Sequence, residues 1–188
     1  MAELHKWKTL ASQMAFDHAW YKVRRDRVQL PNGTVIDDYF LSVRPDVALV
    51  LPVTRAGELV FVRQYRHGAG EVLLELPAGT FDPAQEAPQG AAQRELLEET
   101  GYTASTWISL GVLYDNPVKE TNKIHVFLAQ NAQKTADQIL DITEEIEIVL
   151  IPPSELVAKI EVGDICVAGS VAAVFLGLAY LQRQAAQG

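Results

Sequence analysis

Three acidic residues in the middle of the chain are spaced so that a helix would carry them on one face. The segment 79–102 reads GTFDPAQEAPQGAAQRELLEETGY, and its pattern predicts a helix over residues 89–100. On that helix Glu95, Glu98 and Glu99 lie three and four residues apart, where like charges repel by a few tenths of a kcal/mol per pair. Six carboxylate oxygens on one patch suit a hard cation such as Mg²⁺. The spacing leaves open whether Mn²⁺ can replace Mg²⁺.

The surroundings of these acids favour a binding site over a solvated acidic helix. A run of charges is more often a solvated face, but a glycine-containing loop precedes this helix and Gly101 occupies the position that commonly ends one. Arg94 precedes Glu95 and lies four residues before Glu98, so its guanidinium can orient a carboxylate and offset part of the charge. The remaining face is apolar, with Ala91, Ala92, Leu96 and Leu97.

Composition and charge narrow the function classes. The 188 residues are 48% hydrophobic and 21% charged, which is ordinary for a soluble globular protein with a real core. The net charge of −8 argues against nucleic acid as the main ligand. The one cysteine, Cys166, can form no internal disulfide, which suits a reducing cytoplasm. The N-terminus lacks the apolar run of a signal peptide, and the apolar segment 165–181 favours a buried helix over a membrane span.

Strand patterns surround the predicted helix. Two β-rich runs, 20–30 and 34–43, flank Pro31-Asn32-Gly33 and predict a hairpin, whereas residues 1–19 are weakly patterned. Further strands are predicted at 47–54, 59–66, 72–79, 106–114, 123–130 and 146–152. A helix after Pro152, capped by Ser154, and a final helix over 165–182 are also expected. Because hairpins and longer crossovers both occur, we expect a mixed sheet and an α+β fold. The predicted domains are an N-terminal hairpin region, 1–45, and a main domain, 46–188.

The segment 79–102 resembles the Nudix box, G-x5-E-x7-R-E-U-x-E-E-x-G-U, in which U is a bulky aliphatic residue. The matching positions are Gly79, Glu86, Arg94, Glu95, Leu96, Glu98, Glu99, Gly101 and, less closely, Tyr102. One residue too many separates Gly79 from Glu86, so that Gln85 occupies the strict-spacing position. We interpret this as an insertion in the turn 82–85.

Beyond the box, the segment VRQYRHGAGEVLLELPAG at 62–79 and the N-terminal hairpin resemble ADP-ribose pyrophosphatases and related nucleoside-diphosphate-sugar hydrolases. The resemblance implies an α-β-α sandwich with a mixed β-sheet, preceded by an N-terminal antiparallel β-hairpin. It implies Mg²⁺-dependent hydrolysis of the diphosphate bond of ADP-ribose or a related nucleotide sugar, giving a nucleoside monophosphate and a sugar phosphate. It also implies a homodimer joined through the N-terminal hairpin, with no nucleic acid or membrane partner.

The resemblance also assigns the metal ligands. Glu95 and Glu99 would be the main ligands, Glu98 would share a metal, and the backbone carbonyl of Ala78 would complete the site. Glu98, Glu99 and Arg94 would take part in catalysis.

The remaining implied roles lie outside the helix. The acidic loop 141–145 would supply a general base, with Glu144 favoured over Glu145; a solvated acidic turn is the alternative. Arg66 would contact a substrate phosphate through its forked donors, and a surface salt bridge is the alternative. Glu120, in the loop 115–123, would reach the terminal ribose or sugar.

Other functions stay open at this stage. One is a binding module that senses ADP-ribose or a similar ligand without cleaving it. Because Glu95, Glu98 and Glu99 are all present, the enzyme is favoured over this module. Another alternative is hydrolysis of a different substrate, such as a dinucleoside polyphosphate, a nucleoside triphosphate or a capped RNA.

Overall fold

The computed structural model describes residues 4–186 and divides them into two units. The N-terminal unit holds the residues up to Pro45 together with Tyr114–Asn122. The second unit holds Asp46–Leu113 and the chain from Lys123 onward. A segment from the middle of the chain therefore belongs to the N-terminal unit, a membership that no sequence pattern indicated.

Within the described residues, the N-terminal unit contains a three-stranded antiparallel sheet in the order β1-β2-β3. Its strands are β1 (Lys8–His18), β2 (Tyr21–Gln29) and β3 (Val35–Val43). The predicted hairpin is present as β2 and β3, but β1 was missed and extends it to three strands. Every residue of β1 is exposed, so the strand lacks the alternating burial on which a strand prediction depends.

The second unit is built on a mixed sheet. Its strands are β4 (Asp46–Thr54), β5 (Leu59–Arg66), β6 (Glu71–Glu75), β7 (Ala78–Phe81), β8 (Tyr102–Thr103), β9 (Thr106–Leu113), β10 (Ile124–Lys134) and β11 (Ile146–Ile151). The central path runs β11-β5-β4-β10-β8, with β6, β7 and β9 paired to β5, β4 and β10. Strands β4 and β10 pair in parallel, whereas the other pairs are antiparallel. The predicted strand 72–79 is divided into β6 and β7, with Pro77 in the connection.

The helices are α1 (Pro88–Thr100), α2 (Leu156–Glu161) and α3 (Ala168–Ala185), and a 3-10 turn, Pro153–Glu155, leads into α2. The predicted cap at Ser154 is wrong. Ser154 lies inside the 3-10 turn, and neither this turn nor α2 has a side-chain cap. Among the residues from 4 to 186, no helix has the length and apolar character that a membrane crossing requires.

Strand β4 separates two hydrophobic clusters, which confirms the sandwich. Its Leu49 and Leu51 belong to the cluster that contains Ala173 and Val174 of α3. The alternate residues Ala48 and Val50 belong to the cluster that contains Ala91, Ala92 and Leu96 of α1. Successive side chains of a strand point to opposite faces of the sheet. A near-continuous apolar run such as β4 therefore presents apolar side chains on both faces, and a helix packs against each.

Candidate active site

Helix α1 places its acids beside strand β7, where Glu99 meets Ala78 and Glu95 lies against Gly79. Pro88 occupies the first turn, where its missing N–H costs nothing. Gly101 ends the helix with φ 72°, and its N–H donates to the carbonyl of Leu97. The buried face consists of Ala91, Ala92 and Leu96. The predicted helix and its end are therefore confirmed, as is the apolar face for Ala91, Ala92 and Leu96, whereas Leu97 is only half-buried and joins neither hydrophobic cluster.

Arg94 ties the acids of this helix together. Its Nη1 donates to Oε1 of Glu95 at 2.6 Å and to Oε2 of Glu98 at 3.0 Å. Its Nε and Nη2 donate to the two carboxylate oxygens of Glu86 at 3.2 and 3.0 Å. The hydrogen bonds that Arg94 donates to Glu86, and then those to Glu95 together with the charge of Glu95, raise the pKa of Arg94, so this guanidinium stays charged.

The inserted residue of the box does not displace Glu86. The side chain of Gln85 turns back to Asp82, with Nε2 donating to Oδ2 at 2.9 Å. Glu86 is therefore the residue that meets Arg94, and the tight 82–86 turn absorbs the extra position.

Glu99 is the most enclosed acid of the cluster. It is only 4% exposed, and its Oε2 accepts the N–H of Ala78 at 3.0 Å. Burial raises the pKa of Glu99 to about 8, and the negative charges of Glu95 and Glu144 add to this effect. The Ala78 N–H and the positive charge of Arg66 act in the opposite direction. A buried carboxylate with acidic neighbours is costly to ionise unless a cation joins it.

The pKa of Glu95 is likewise subject to opposing influences. Burial raises its pKa, and the charges of Glu98 and Glu144 raise it further, against the hydrogen bond and charge of Arg94. The loop residue Glu144 therefore acts electrostatically on both Glu95 and Glu99. Its carboxylate is half-buried, and its Oε2 accepts the N–H of Asp141 at 2.9 Å. Glu145 is exposed, and its side chain takes part in none of the hydrogen bonds found between residues 4 and 186.

Arg66 stands at the end of β5, and its Nε donates to Oε1 of Glu75 at 2.6 Å. Glu75 is a buried carboxylate, so the pair is not an ordinary surface salt bridge. The contact uses Nε and leaves the two terminal amino groups of the guanidinium for another acceptor. Sequence reasoning missed Glu75 as the partner of Arg66. Even the pairing of β5 with β6 does not indicate this contact, because the residue directly opposite Arg66 is Glu71.

Glu120 lies in the N-terminal unit and not in the unit that carries α1. Its carboxylate accepts from Nη1 of Arg44 at 3.3 and 3.4 Å. Sequence reasoning did not connect these two residues.

The donor set of the cluster fits a divalent cation. Glu95, Glu98 and Glu99, with the backbone of Ala78, offer only oxygen ligands, which Mg²⁺ and Mn²⁺ accept. Within residues 4–186, no three acidic, histidine or cysteine side chains already converge as a metal cage. Arg94 is hydrogen-bonded to two of these carboxylates, Glu95 and Glu98. Burial, and to a lesser extent neighbouring negative charge, raises the pKa of Glu95 and of Glu99. A divalent cation would favour the ionised form of both acids.

Comparisons with known proteins agree with this geometry. A family model for the NUDIX domain matches residues 43–166, and one for the nucleoside diphosphate sugar hydrolase N-terminal domain matches residues 7–42. A solved structure entitled "Crystal structure of ADP compounds hydrolase" superposes with a TM-score of 0.85 and 25% identity, over 98% of each chain.

Two curated relatives differ in how much of the chain they share. The ADP-ribose pyrophosphatase of Mycobacterium tuberculosis is 39% identical over 129 residues, which are 69% of this chain and 61% of that protein. The match thus spans less than two thirds of that relative. The methanol dehydrogenase activator of Bacillus methanolicus is 29% identical over 187 residues, 99% of this chain and 98% of that protein. With most of its length matched by the first family model and its acids placed on one helix face, this chain belongs to the NUDIX family.

Proposed function

We propose that this protein is a Mg²⁺-dependent pyrophosphatase that cleaves the diphosphate bond of ADP-ribose or a related nucleoside diphosphate sugar. The products are a nucleoside monophosphate and a sugar phosphate. The observation that carries the proposal is the acidic face of α1, where Glu95 and Glu99 lie beside Gly79 and Ala78 and where burial makes each carboxylate costly to ionise without a cation. The match of residues 7–42 to a nucleoside diphosphate sugar hydrolase segment supports the substrate class.

The residues of the second unit divide the work as follows. When bound, a divalent cation neutralises the nonbridging phosphate oxygens and lowers the pKa of its water. The Ala78 N–H orients Glu99, and Arg94 orients Glu95 and Glu98. A fixed set of carboxylates holds the reacting groups in place without reorganising during the reaction.

Glu144 is the general base in this proposal, with Glu145 as the second candidate. The charge of Glu144 acts on Glu95 and Glu99, which supports its place beside the acidic face. The free amino groups of Arg66 bind a substrate phosphate, and the buried carboxylate of Glu75 keeps the guanidinium in place. Assignment of Glu120 to the terminal ribose or sugar rests on the family resemblance alone.

We also infer a cytoplasmic homodimer joined through the N-terminal sheet. Strand β1 is an exposed edge strand, and unpaired edges invite pairing with another chain. Large apolar side chains are exposed on or beside it, namely Trp7, Leu10, Met14 and Phe16. The lone cysteine, Cys166, suits a reducing compartment.

The first experiment compares the wild type, Glu99→Gln and Glu147→Gln. Each is incubated with ADP-ribose, UDP-glucose, GDP-mannose and diadenosine polyphosphates, in Mg²⁺ and then in EDTA, and the products are identified by mass. Glu147 is a matched control, because it is an exposed acid on β11 that forms an ion pair with Arg63 of β5. We expect EDTA-sensitive cleavage of one nucleotide sugar, retained in Glu147→Gln and reduced at least about 100-fold in Glu99→Gln.

Other outcomes would change the assignment. Cleavage of diadenosine polyphosphates alone would change the assigned substrate class from nucleotide sugars to dinucleoside polyphosphates. The assigned reaction, hydrolysis of a phosphate anhydride bond, would stay the same. Tight ADP-ribose binding without cleavage of any substrate would indicate a sensor.

A second candidate function is favoured by the full-length match to the methanol dehydrogenase activator. In this alternative the protein accelerates a dehydrogenase. The test adds wild type or Glu99→Gln to a methanol dehydrogenase assay. Acceleration by the wild type alone would link activation to the carboxylate site, and no acceleration would reject this candidate.

A further inference from the structure

The segment 135–139, here called the strap, covers the C-terminal end of the carboxylate helix. The N–H groups of Thr135 and Ala136 donate to the carbonyl of Gly101 at 2.8 and 3.1 Å. The contact is close enough that a Cβ on Gly101 would overlap the carbonyl oxygen of Ala136. Because the last carbonyls of a helix have no partner inside it, the strap satisfies groups that α1 leaves free.

Gln138 connects this helix end to the following strand. Its Nε2 donates to the carbonyl of Glu99 at 2.7 Å and to the carbonyl of Ile146, the first residue of β11, at 3.1 Å. Both hydrogens of one amide group are therefore used. Beside it, the N–H of Ile139 donates to the carbonyl of Glu98 at 2.8 Å.

These contacts fix both ends of the loop 140–145. The loop begins immediately after Ile139, which is bonded to α1, and ends at Ile146, which Gln138 holds. Anchoring both ends of a loop removes much of the freedom of the chain between them. Glu144 lies inside the loop that is restrained in this way, and its Oε2 accepts the N–H of Asp141 at 2.9 Å.

We propose that Gln138 is a positioning residue, which fixes the base of the loop 140–145 on the end of α1 and so presents Glu144 to the carboxylate cluster. The inference rests on the proposed function for its kinetic consequence, since Glu144 acts there as the general base. Sequence patterns gave no signal for Gln138, because it precedes the acidic loop in a polar stretch without a motif.

The test uses Gln138→Met, which keeps the length of the side chain and removes both hydrogen bonds. Gln133→Met is the matched control, because Gln133 is an exposed glutamine on β10. Amide hydrogen exchange of residues 140–146 should become at least about tenfold faster in Gln138→Met and stay unchanged in Gln133→Met. Should Gln138→Met fail to fold, Gln138→Asn serves instead, since its shorter amide cannot span both carbonyls.

Kinetics decide whether the restraint acts through Glu144. We expect Gln138→Met to lower kcat about 10- to 100-fold while KM changes less than about threefold. In a Glu144→Gln background, the same substitution should change kcat less than about threefold, because residues that act as a unit are not additive. Equal effects in both backgrounds would overturn the proposal.

The exchange measurement separates this inference from the proposed function. A wild type that cleaves no nucleotide sugar would refute the proposed function, while exchange would still report whether Gln138 holds the loop. Loop exchange that is the same in Gln138→Met, Gln133→Met and the wild type would overturn the positioning role, whatever the activity.

Discussion

Gly79 on β7 lies so close to Glu95 on α1 that a Cβ at position 79 would overlap all three atoms of the Glu95 carboxyl group. The strand residue is paired with Ala48 of the central strand β4, so it cannot move aside without disturbing the sheet. Glu95 is in turn held by Arg94. The absence of a side chain at position 79 therefore leaves room for the Glu95 carboxyl group against the Pro77-Ala78-Gly79 bend.

Substitution of Gly79 by alanine should displace Glu95 from the cluster. We expect Gly79→Ala to reduce kcat/KM at least about 100-fold, because a shift of about 1 Å in a site can cost that much. The free energy of unfolding should fall by only about 0.5–1.5 kcal/mol, because the atoms that the Cβ meets are the end of a side chain that can change rotamer. The control is Gly68→Ala, since a Cβ there would meet no atom within 4 Å. Wild-type activity in Gly79→Ala would show that the approach of Glu95 is not needed.

Substitution of Glu86 should affect stability and activity more than substitution of its neighbour Gln85. Glu86 binds Arg94 through both carboxylate oxygens, whereas Gln85 contacts only Asp82. Because the Arg94–Glu86 pair is partly exposed, we expect Glu86→Gln to cost only about 0.5–1.5 kcal/mol of stability. It should also lower kcat about three- to tenfold as Arg94 shifts. Steady-state kinetics and urea unfolding check this, and a larger effect of Gln85→Ala would contradict the assignment.

The stability of the metal-free protein should fall as the pH rises. The folded pKa of Glu99, about 8, lies above the ordinary value of 4.5, so between these pH values the folded state holds a proton that the unfolded state has lost. The free energy of unfolding then decreases with rising pH across this window.

In EDTA, Glu99→Gln should reduce this slope to what Glu95, whose pKa is also raised, contributes, and should exceed the wild type in stability near pH 8 by about 1–3 kcal/mol. Urea unfolding at about pH 5, 6.5 and 8 measures the effect. Glu147→Gln, which changes an exposed acid, should keep the wild-type slope. A slope in Glu99→Gln as steep as that of the wild type would assign the proton to another group.

Two glycines of α3 should respond oppositely to alanine. At Gly177 a Cβ would overlap Cδ2 of Leu51 on β4, whereas at Gly169 it would make ordinary contact with Leu49 Cδ2 at 3.5 Å. We expect Gly177→Ala to lower the free energy of unfolding by about 1–3 kcal/mol and Gly169→Ala to raise it by up to about 1 kcal/mol through helix propensity.

A double substitution tests the cause. Leu51→Val removes the overlapping methyl group, so Gly177→Ala should cost less in that background than in the wild type, measured by thermal or urea unfolding. If Gly177→Ala lowered the free energy of unfolding equally in both backgrounds, the steric overlap would not be with Leu51.

Much of the main fold could be predicted, because its signals are local. The central strand β4 is a long apolar run, and α1 combines an apolar face with a glycine stop. Strand β1 escaped prediction because all of its residues are exposed. Ser154 was mistaken for a cap because serine is common at helix starts. Here Pro152 precedes a 3-10 turn that begins at Pro153, contains Ser154 and has no side-chain cap. Strands β6 and β7 are separate because β6 pairs with β5 and β7 pairs with β4. Such pairing depends on contacts between distant segments, which local sequence does not encode.

By itself, the sequence determined that Glu95, Glu98 and Glu99 share one helix face, because helical spacing fixes which residues are neighbours. It also determined the family, because the box is long and its residues are specific. Tertiary structure decided the rest: that Glu86 rather than Gln85 meets Arg94, that Glu75 holds Arg66, and that Gln138 links the helix end to the loop of Glu144. Each of these contacts depends on a turn geometry or on segments brought together by folding, and no local spacing encodes that.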